Sequence, residues 1–299
     1  MPLFRRPDGD LVTDESPVRR MIPYIMRGRN ESVVYHDELV NIARVRPWMR
    51  AWNQSHPDDA ITMFHIFLVG IAKGLQARPG MNRFVSGGRI YQRRGNFMSF
   101  AAKKQFDEKS PLVTVKVEIP EDEPFIQTIR KIKGAIGEGR SGAISMVDKE
   151  LKLALALPGV VLRGVMALLR FLDKVNLMPG GMIKTDPMFT SCFVANLGSV
   201  GLDRTYHHLY EYGNASLFCV MGPPKRIPVV EPPGDKIAIR EVVEMRWSFD
   251  ERINDGFYCA LALKHFAKVM EDPEKYIGDP RQGAEKRPDS PAAAPTPAA

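Results

Sequence analysis

A short charged turn in the carboxy-terminal part of the sequence carries residue types suited to general acid–base chemistry. Glu251, Arg252 and Asp255 follow a run of alternating apolar and polar residues, and an apolar helical pattern begins after Gly256. The reference pKa of glutamate is about 4.3, and burial can raise it to about 6–7, where a carboxylate is a competent base near neutral pH. Glu251 is therefore a candidate general base, and a salt-bridging role in the turn is an equally supported alternative.

The composition favours acidic partners and excludes several classes of site. The 299 residues are 44% hydrophobic, enough for a large core, and carry a net charge of +7. That charge favours phosphate-bearing ligands or anionic lipid surfaces, whereas the lack of interleaved basic and aromatic residues argues against nucleic acid. The three cysteines lie in apolar runs without metal-ligand spacing, which predicts buried reduced thiols and no metal site. The sequence has no Gly-x-Ser-x-Gly elbow and no phosphate-cradling loop.

The two ends of the chain are expected to be loose, with one domain over residues 18–277 between them. Residues 1–17 are polar, are interrupted by Pro and Gly, and lack the apolar stretch of a secretion signal. We therefore predict an amino-terminal arm and a cytoplasmic protein. Residues 278–299 are rich in Pro and Ala and predict a disordered tail.

Strand-like and helix-like patterns alternate irregularly between these ends. The predicted strands are residues 31–37, 89–91, 97–101, 112–119, 193–197, 216–221 and 236–249. The strands 89–91 and 97–101 are expected to form a hairpin across residues 93–96, and the last strand is expected to carry a bulge near residues 241–242. The predicted helices are 58–77, 124–139 and 257–270. This order lacks a regular βαβ repeat and predicts an α+β sandwich, with helices on one face of the sheet.

Residues 151–175 form the most hydrophobic region of the chain. Lys152, Arg163, Arg170 and Lys174 fall on one face at helical spacing, and Pro158 interrupts the pattern. Charges in the middle of the segment argue against a transmembrane span. Three alternatives remain: packing on the core or a subunit neighbour, a lid over an acyl-chain site, or shallow insertion into an anionic membrane.

Several segments resemble, in the same order, the catalytic domains of dihydrolipoyl acyltransferases and chloramphenicol acetyltransferases. In those families the signature turn reads His, three variable residues and Asp-Gly, where this chain has residues 251–256. Four other segments share the register: 17–21, 61–79, 196–201 and 270–275. The resemblance covers most of residues 17–277 and implies a chloramphenicol-acetyltransferase-like two-layer sandwich with a mixed sheet. Relative to the family, residues 143–185 look like an insertion.

The resemblance also implies a chemistry, a ligand and an assembly. Family members transfer an acyl group between coenzyme A and a thiol, hydroxyl or amine, at sites between the subunits of a trimer. The signature histidine is the general base, and a hydroxyl beside the motif that starts here at Asn196 stabilises the oxyanion. The signature aspartate, here Asp255, holds the turn through an arginine, for which Arg19 or Arg20 is available, and Arg252 is retained. The printed sequence shows no lipoyl-bearing segment before the core, so we do not expect a conventional oxo-acid dehydrogenase subunit.

Two chemical positions depart from the family pattern. Glu251 stands at the histidine position, and its carboxylate is a base about two pKa units weaker than histidine. Ala195 stands at the oxyanion-serine position, and losing that donor costs about 10²–10³-fold in rate. Three other residues are candidates for these roles: Ser199, His207 and His208. For Ser199 the alternative is a loop-capping serine, and for the two histidines it is a surface position.

The leading hypothesis is an acyltransferase-family protein with an altered catalytic centre and weak or altered activity. Its substrate would be an acyl-CoA or a lipid-like molecule beneath the apolar segment, and it would form a homotrimer. One alternative is a non-catalytic acyl-CoA-binding or assembly protein. Another is a peripheral membrane protein that binds through residues 151–182.

Overall fold

Strands and helices alternate along the chain in a computed structural model that describes residues 5–103, 112–140, 155–203, 205–231, 233–234 and 236–282. The described strands are β1 (Gly9–Leu11), β2 (Val33–Asn41), β3 (Arg83–Ser86), β4 (Arg89–Arg93), β5 (Phe97–Lys103), β6 (Leu112–Glu118), β7 (Cys192–Asn196), β8 (Leu217–Glu231) and β9 (Lys236–Asp250). The described helices are α1 (Pro17–Ile25), α2 (Val45–Ser55), α3 (Met63–Ala77), α4 (Phe125–Arg140), α5 (Gly159–Lys174), α6 (Gly180–Thr185), α7 (Gly256–Glu271) and α8 (Pro273–Tyr276).

A mixed sheet forms the centre of the fold. Among the described residues, six strands are ordered β2-β9-β8-β7-β5-β6, and a separate small sheet is ordered β1-β4-β3. In the large sheet β7 runs parallel to β5 and to β8, and the other neighbours are antiparallel. The predicted α+β class with a mixed sheet is confirmed.

The helices cover one face of the large sheet, as predicted. Trp247 and Phe249 of β9 point into the main core, together with the buried residues of α3 and α7. The two helices approach closely because α3 carries two glycines: a Cβ added at Gly74 would lie 2.4 Å from a ring carbon of Phe266. The apolar residues all round α3 therefore reflect its burial between sheet and helix.

The opposite face of the large sheet carries a smaller apolar cluster. Its buried members are Phe193, Leu209, Phe218 and Val220. Leu209 comes from a loop that crosses this face. Every second residue at the end of β9 also points to this face, and these residues are polar and buried: Arg246, Ser248 and Asp250. This face therefore combines an apolar cluster with buried polar groups.

The predicted hairpin between residues 89–91 and 97–101 is wrong. β4 pairs with β3 and β1, whereas β5 belongs to the large sheet. The β3–β4 turn is made by Gly87 and Gly88, both at positive φ, which favours a tight hairpin there instead. Sequence spacing alone could not distinguish these two pairings.

The amino-terminal arm is not loose over its described part. Residues 9–11 pair with β4, and the buried guanidinium of Arg6 contacts Asp8 and Asp173 at 2.7 and 2.6 Å. At the other end of the chain, Gly278 accepts a hydrogen bond from Trp48 Nε1. Residues 283–299, most of the predicted tail, lie outside the described residues.

Other element boundaries differ for local reasons. α3 begins at Met63 rather than Asp58, because Thr62 caps it and His65 completes a capping box. The bulge predicted near residues 241–242 lies instead on β8, between Met221 and Pro224. The helix α2 was not predicted from the sequence.

The apolar segment forms α5 and α6 where it is described, from residue 155 onward; residues 143–154 lie outside the described part. Pro158 is the N-cap of α5, and residue 155 before it is also helical, so the proline interrupts the helical pattern as predicted. Leu169 and Leu172 pack against Phe189 in a small cluster, whereas Phe171 is 58% exposed. No helix of the described residues is both long and apolar enough to span a bilayer.

Candidate functional site

The turn after β9 is braced by a buried ion pair. Asp250 is fully buried, and its carboxylate accepts hydrogen bonds from Arg252 Nε at 2.8 Å, Arg252 Nη2 at 2.7 Å and Ser32 Oγ at 3.0 Å. Arg252 Nη1 also donates to the carbonyl oxygens of Met26 and Arg27. The turn is thus fastened to the segment that follows α1.

Asp255 does not form the predicted pair with Arg19 or Arg20 in the structure. Its exposed carboxylate caps α7, accepting the Tyr258 backbone N–H at 2.8 Å. Arg19 Nη2 instead donates to the carbonyl oxygens of Glu251 and residue 252, at 3.0 and 3.1 Å. Arg20 is exposed on α1. Asp250, rather than the predicted Asp255, forms the ion pair that braces the turn. Position 250 lies inside the sheet, whereas position 255 lies in solvent at the start of a helix.

Glu251 is half-buried at the apex of this turn. Its backbone N–H donates to the Ser32 carbonyl at 3.0 Å, and within the described part of the chain its carboxylate has no hydrogen bond or ion pair. The nearby thiol of Cys259 is buried, and burial followed by the charge of Asp255 raises its pKa to about 12. Cys259 is therefore a neutral thiol at neutral pH.

The Asn196 turn is a self-contained unit at the end of β7. Asn196 Oδ1 accepts the Ser199 N–H at 3.3 Å, and Ser199 Oγ donates to the Asn196 carbonyl at 2.7 Å. Gly198 is pressed on β8, where an added Cβ would lie 2.6 Å from Pro223 N. The Ser199 hydroxyl thus caps its own turn.

Within one chain the Asn196 turn and the Glu251 turn lie at opposite ends of the sheet. Asn196 pairs with Met221, which pairs with Met245 of β9. From Met245 to Asp250 is five residues, or roughly 17 Å along an antiparallel strand. The chain after Asn196 runs further from that end. One chain cannot therefore bring Glu251 and Ser199 to the same reacting atom.

The two loop histidines lie on the sheet face between these ends. The His207 ring stacks on Phe218 with centroids 4.0 Å apart, and Ser248 Oγ donates to the His207 carbonyl. Burial lowers the pKa of His207 below its usual value. His208 is exposed, and its Nδ1 lies 3.0 Å from the Leu209 carbonyl oxygen. His207 is an aromatic member of the small cluster rather than a fully surface residue.

Comparisons with known proteins agree with this architecture. Residues 182–277 match the sequence model of the catalytic domain of 2-oxoacid dehydrogenase acyltransferases. The chain has the fold of these acyltransferases. A probable dihydrolipoamide acetyltransferase from Listeria monocytogenes is 17% identical with a TM-score of 0.60, over 93% of this chain and 99% of that chain. None of the curated protein sequences compared matches the chain.

Two other structures with the acyltransferase fold are similar. A dihydrolipoamide acetyltransferase from Azotobacter vinelandii, whose mechanism has been studied at a serine, a histidine and an asparagine, is 14% identical with a TM-score of 0.59, over 89% of this chain and 94% of that chain. A chloramphenicol acetyltransferase is 12% identical with a TM-score of 0.50, over 88% of this chain and 98% of that chain. The resemblance and the two-layer fold predicted from the sequence are confirmed.

The residues that sequence reasoning missed are those that brace the Glu251 turn. Asp250 and Ser32 are buried and bonded to each other across 218 positions of sequence. The available signal was Asp250 itself, a charge at the end of a largely apolar strand and two residues before an arginine. In the described part of the chain, no group of three or more His, Cys, Asp or Glu could hold a metal ion.

Proposed function

We propose that this chain is an acyl-CoA-dependent acyltransferase in which Glu251 is a general base of reduced strength. The observation that carries the proposal is the Glu251 turn: its bracing by Asp250, Arg252 and Ser32 is complete, while the Glu251 carboxylate has no partner among the described residues. A rigid turn that presents one unengaged carboxylate suits proton transfer. The match of residues 182–277 to the acyltransferase family supports the choice of reaction.

The proposed step is attack of an acceptor thiol, hydroxyl or amine on the thioester carbonyl. Glu251 takes the acceptor proton as the new bond to carbon forms. The carbon–sulfur bond then breaks, and the proton passes from Glu251 to the departing sulfur of coenzyme A. Ala195 has no hydroxyl to stabilise the oxyanion, and the Ser199 hydroxyl is engaged in its turn, so we expect slow turnover.

The site is proposed to lie between two copies of the chain. The separation of roughly 17 Å between the Glu251 and Asn196 ends supports this, since a partner could place its own Asn196 turn opposite Glu251. The resemblance to trimeric acyltransferases makes a homotrimer the expected assembly. Each site would then need residues from two subunits.

Thiol release from a panel of acyl-CoAs tests the proposal. We expect slow release with at least one acyl chain, its loss in Glu251→Gln, and faster release in Glu251→His, because imidazole is the stronger base at neutral pH. Glu38→Gln is the matched control: Glu38 is also half-buried, but lies on β2 opposite Met245. Binding of coenzyme A without release from any acyl-CoA would replace the proposal with the non-catalytic binding protein.

Association with a membrane surface is a second candidate function, favoured by the exposure of α5. None of its residues is buried, and Val160, Leu168 and Phe171 are exposed beside a stripe of three cations: Arg163, Arg170 and Lys174. Such a helix can lie in the interface of an anionic bilayer. Co-sedimentation of the protein with anionic vesicles that is lost in the double variant Arg163→Gln/Arg170→Gln would support membrane association. Co-sedimentation that is the same in the variant and the unmodified protein would exclude this role of α5.

A further inference from the structure

A cleft of about 870 Å³ opens between α5, the β3–β4 turn, the end of α1 and residues 211–213. Its volume lies in the range of small-molecule sites. The wall is held in place by the glycine turn, since a Cβ added at Gly87 would lie 2.2 Å from the Lys174 carbonyl oxygen. Because α5 belongs to the apparent insertion, this cleft is a feature of this chain and does not depend on the proposed acyl transfer.

The lining of the cleft has a surplus of positive charge. Its basic residues are Arg27, Arg29, Arg89, Arg170, Lys174 and Arg252, and its acidic residues are Asp173 and Glu211. Both acids are already engaged. Asp173 is paired with Arg6 at 2.6 Å, and Glu211 accepts the backbone N–H groups of Arg29 and Asn30 at 3.2 and 3.0 Å.

Four of the lining cations are available to a ligand. Within the described residues, the side chains of Arg27, Arg89, Arg170 and Lys174 form no hydrogen bond or ion pair. Arg170 and Lys174 are four residues apart on α5 and so lie on the same face. A concave site with one sign of charge concentrates ions of the other sign.

A fifth cation is fixed deep in the wall. Arg29 is only 5% exposed, and its terminal nitrogens donate to the carbonyl oxygens of Val85, Tyr210 and residue 211. Its buried Nε has no hydrogen-bond partner among the described residues. Its hydrogen-bond partners are neutral carbonyl groups, and the nearby charges of Asp250, Asp173 and Glu211 favour its charged form.

Aromatic side chains complete the lining. Tyr24 and Phe171 are each 58% exposed at the cleft, and Phe189 and Tyr212 stand behind them in edge-to-face contact. We propose that this cleft binds a small molecule that joins a phosphate group to an apolar body. The phosphate binds the cations of β4 and α5, and the apolar body packs on Tyr24 and Phe171.

Calorimetric titration of the full chain at low salt tests the site, with pyrophosphate and hexyl phosphate as soluble probes. We expect both probes to bind, and hexyl phosphate to bind more tightly than inorganic phosphate. Arg170→Gln/Lys174→Gln should weaken binding about tenfold or more, because two phosphate contacts are lost. Lys264→Gln is the control, since Lys264 is exposed on α7 and lies outside the cleft, and it should change affinity less than twofold.

A second arm distinguishes a free phosphorylated compound from a lipid headgroup. Phosphatidylcholine vesicles with phosphatidic acid as the minor component are tested for binding and for displacement by hexyl phosphate. Vesicle binding displaced by the soluble probe identifies a headgroup site, and binding of the soluble probes alone identifies a free ligand. The proposed site is refuted if neither soluble probe binds. It is also refuted if the control variant and the double variant weaken probe binding equally. Far-UV circular dichroism verifies that each variant is folded.

Discussion

The carboxylate of Asp250 and the guanidinium of Arg252 form a buried ion pair, 2.7 Å between Oδ2 and Nη2, and Glu251 is the single residue between them. The pair fixes both neighbours of Glu251, and Arg19 holds the Glu251 carbonyl from the α1 side. The backbone at position 251 is therefore set by groups other than its own side chain. A turn held in this way can keep its shape whichever side chain stands at position 251.

Removing the charge at Asp250 should strongly destabilise the fold. Asp250→Asn leaves the buried Arg252 without its counter-ion, and breaking a buried pair from one side costs about 3–5 kcal/mol. Urea unfolding at neutral pH measures the loss. Asp255→Asn is the control with the same chemical change, and it should stay within about 0.5 kcal/mol because asparagine caps a helix as well as aspartate. Similar losses in both variants would contradict the buried brace.

The sequence predicts the elements of this fold better than their partners. The alternation along residues 236–249 correctly predicts the strand β9, whose Trp247 and Phe249 share the core face because a strand has a period of two. The distant partners of Asp250 and Arg252 could not be predicted, because Ser32 and Met26 lie more than 200 residues away in sequence. The error at β4 has the same origin: strand pairing depends on contacts that local patterns do not contain.

Acidification should destabilise the protein through His65. The ring is buried, with Nδ1 accepting the Thr62 N–H at 3.1 Å, and burial followed by the charge of Lys133 lowers its pKa from 6.5 to about 4. Since the unfolded state takes up the proton first, this contribution is present above about pH 6.5 and is lost as the pH falls toward about 4. The free energy of unfolding should fall by about 2 kcal/mol between about pH 7 and pH 5 from this group.

His65→Gln should remove this part of the pH dependence and keep the cap, because glutamine is a natural third residue of a capping box. Urea titrations at the two pH values provide the measurement. An equal fall in His65→Gln and the unmodified protein would assign the effect to other groups.

Two glycine-to-alanine changes in helices should have opposite effects. At Gly74 the added methyl meets the Phe266 ring at 2.4 Å, so the α3–α7 contact is overpacked, at a cost of about 1–3 kcal/mol. At Gly134 in α4 nothing lies within 4 Å, so alanine should stabilise by about 0.5–1 kcal/mol through its helix propensity. Thermal unfolding of the two variants compares them directly. A stabilising Gly74→Ala would show that the two helices are not in close contact.

The β8–β9 arm should be part of the subunit interface. β2 pairs with β9 only as far as Val242, so residues 226–231 and 236–241 pair with each other beyond the sheet in the described structure. Val230 pairs with Ile237, which puts them on one face of the arm with Ile239, and all three are exposed in the single chain. An isolated two-stranded ribbon is marginally stable, and an apolar face on it needs cover.

Sedimentation equilibrium tests this role of the arm. We expect a trimer for the unmodified protein and a monomer for Ile237→Asp/Ile239→Asp, because two charges would be buried without partners in the interface. Leu261→Asp is the control, at an exposed apolar position on α7 away from the arm, and it should remain trimeric. Since the proposed site needs two subunits, thiol release should disappear with the trimer. A double variant that stays trimeric would refute the role of the arm in the interface. A double variant that is monomeric and fully active would refute the site shared between subunits.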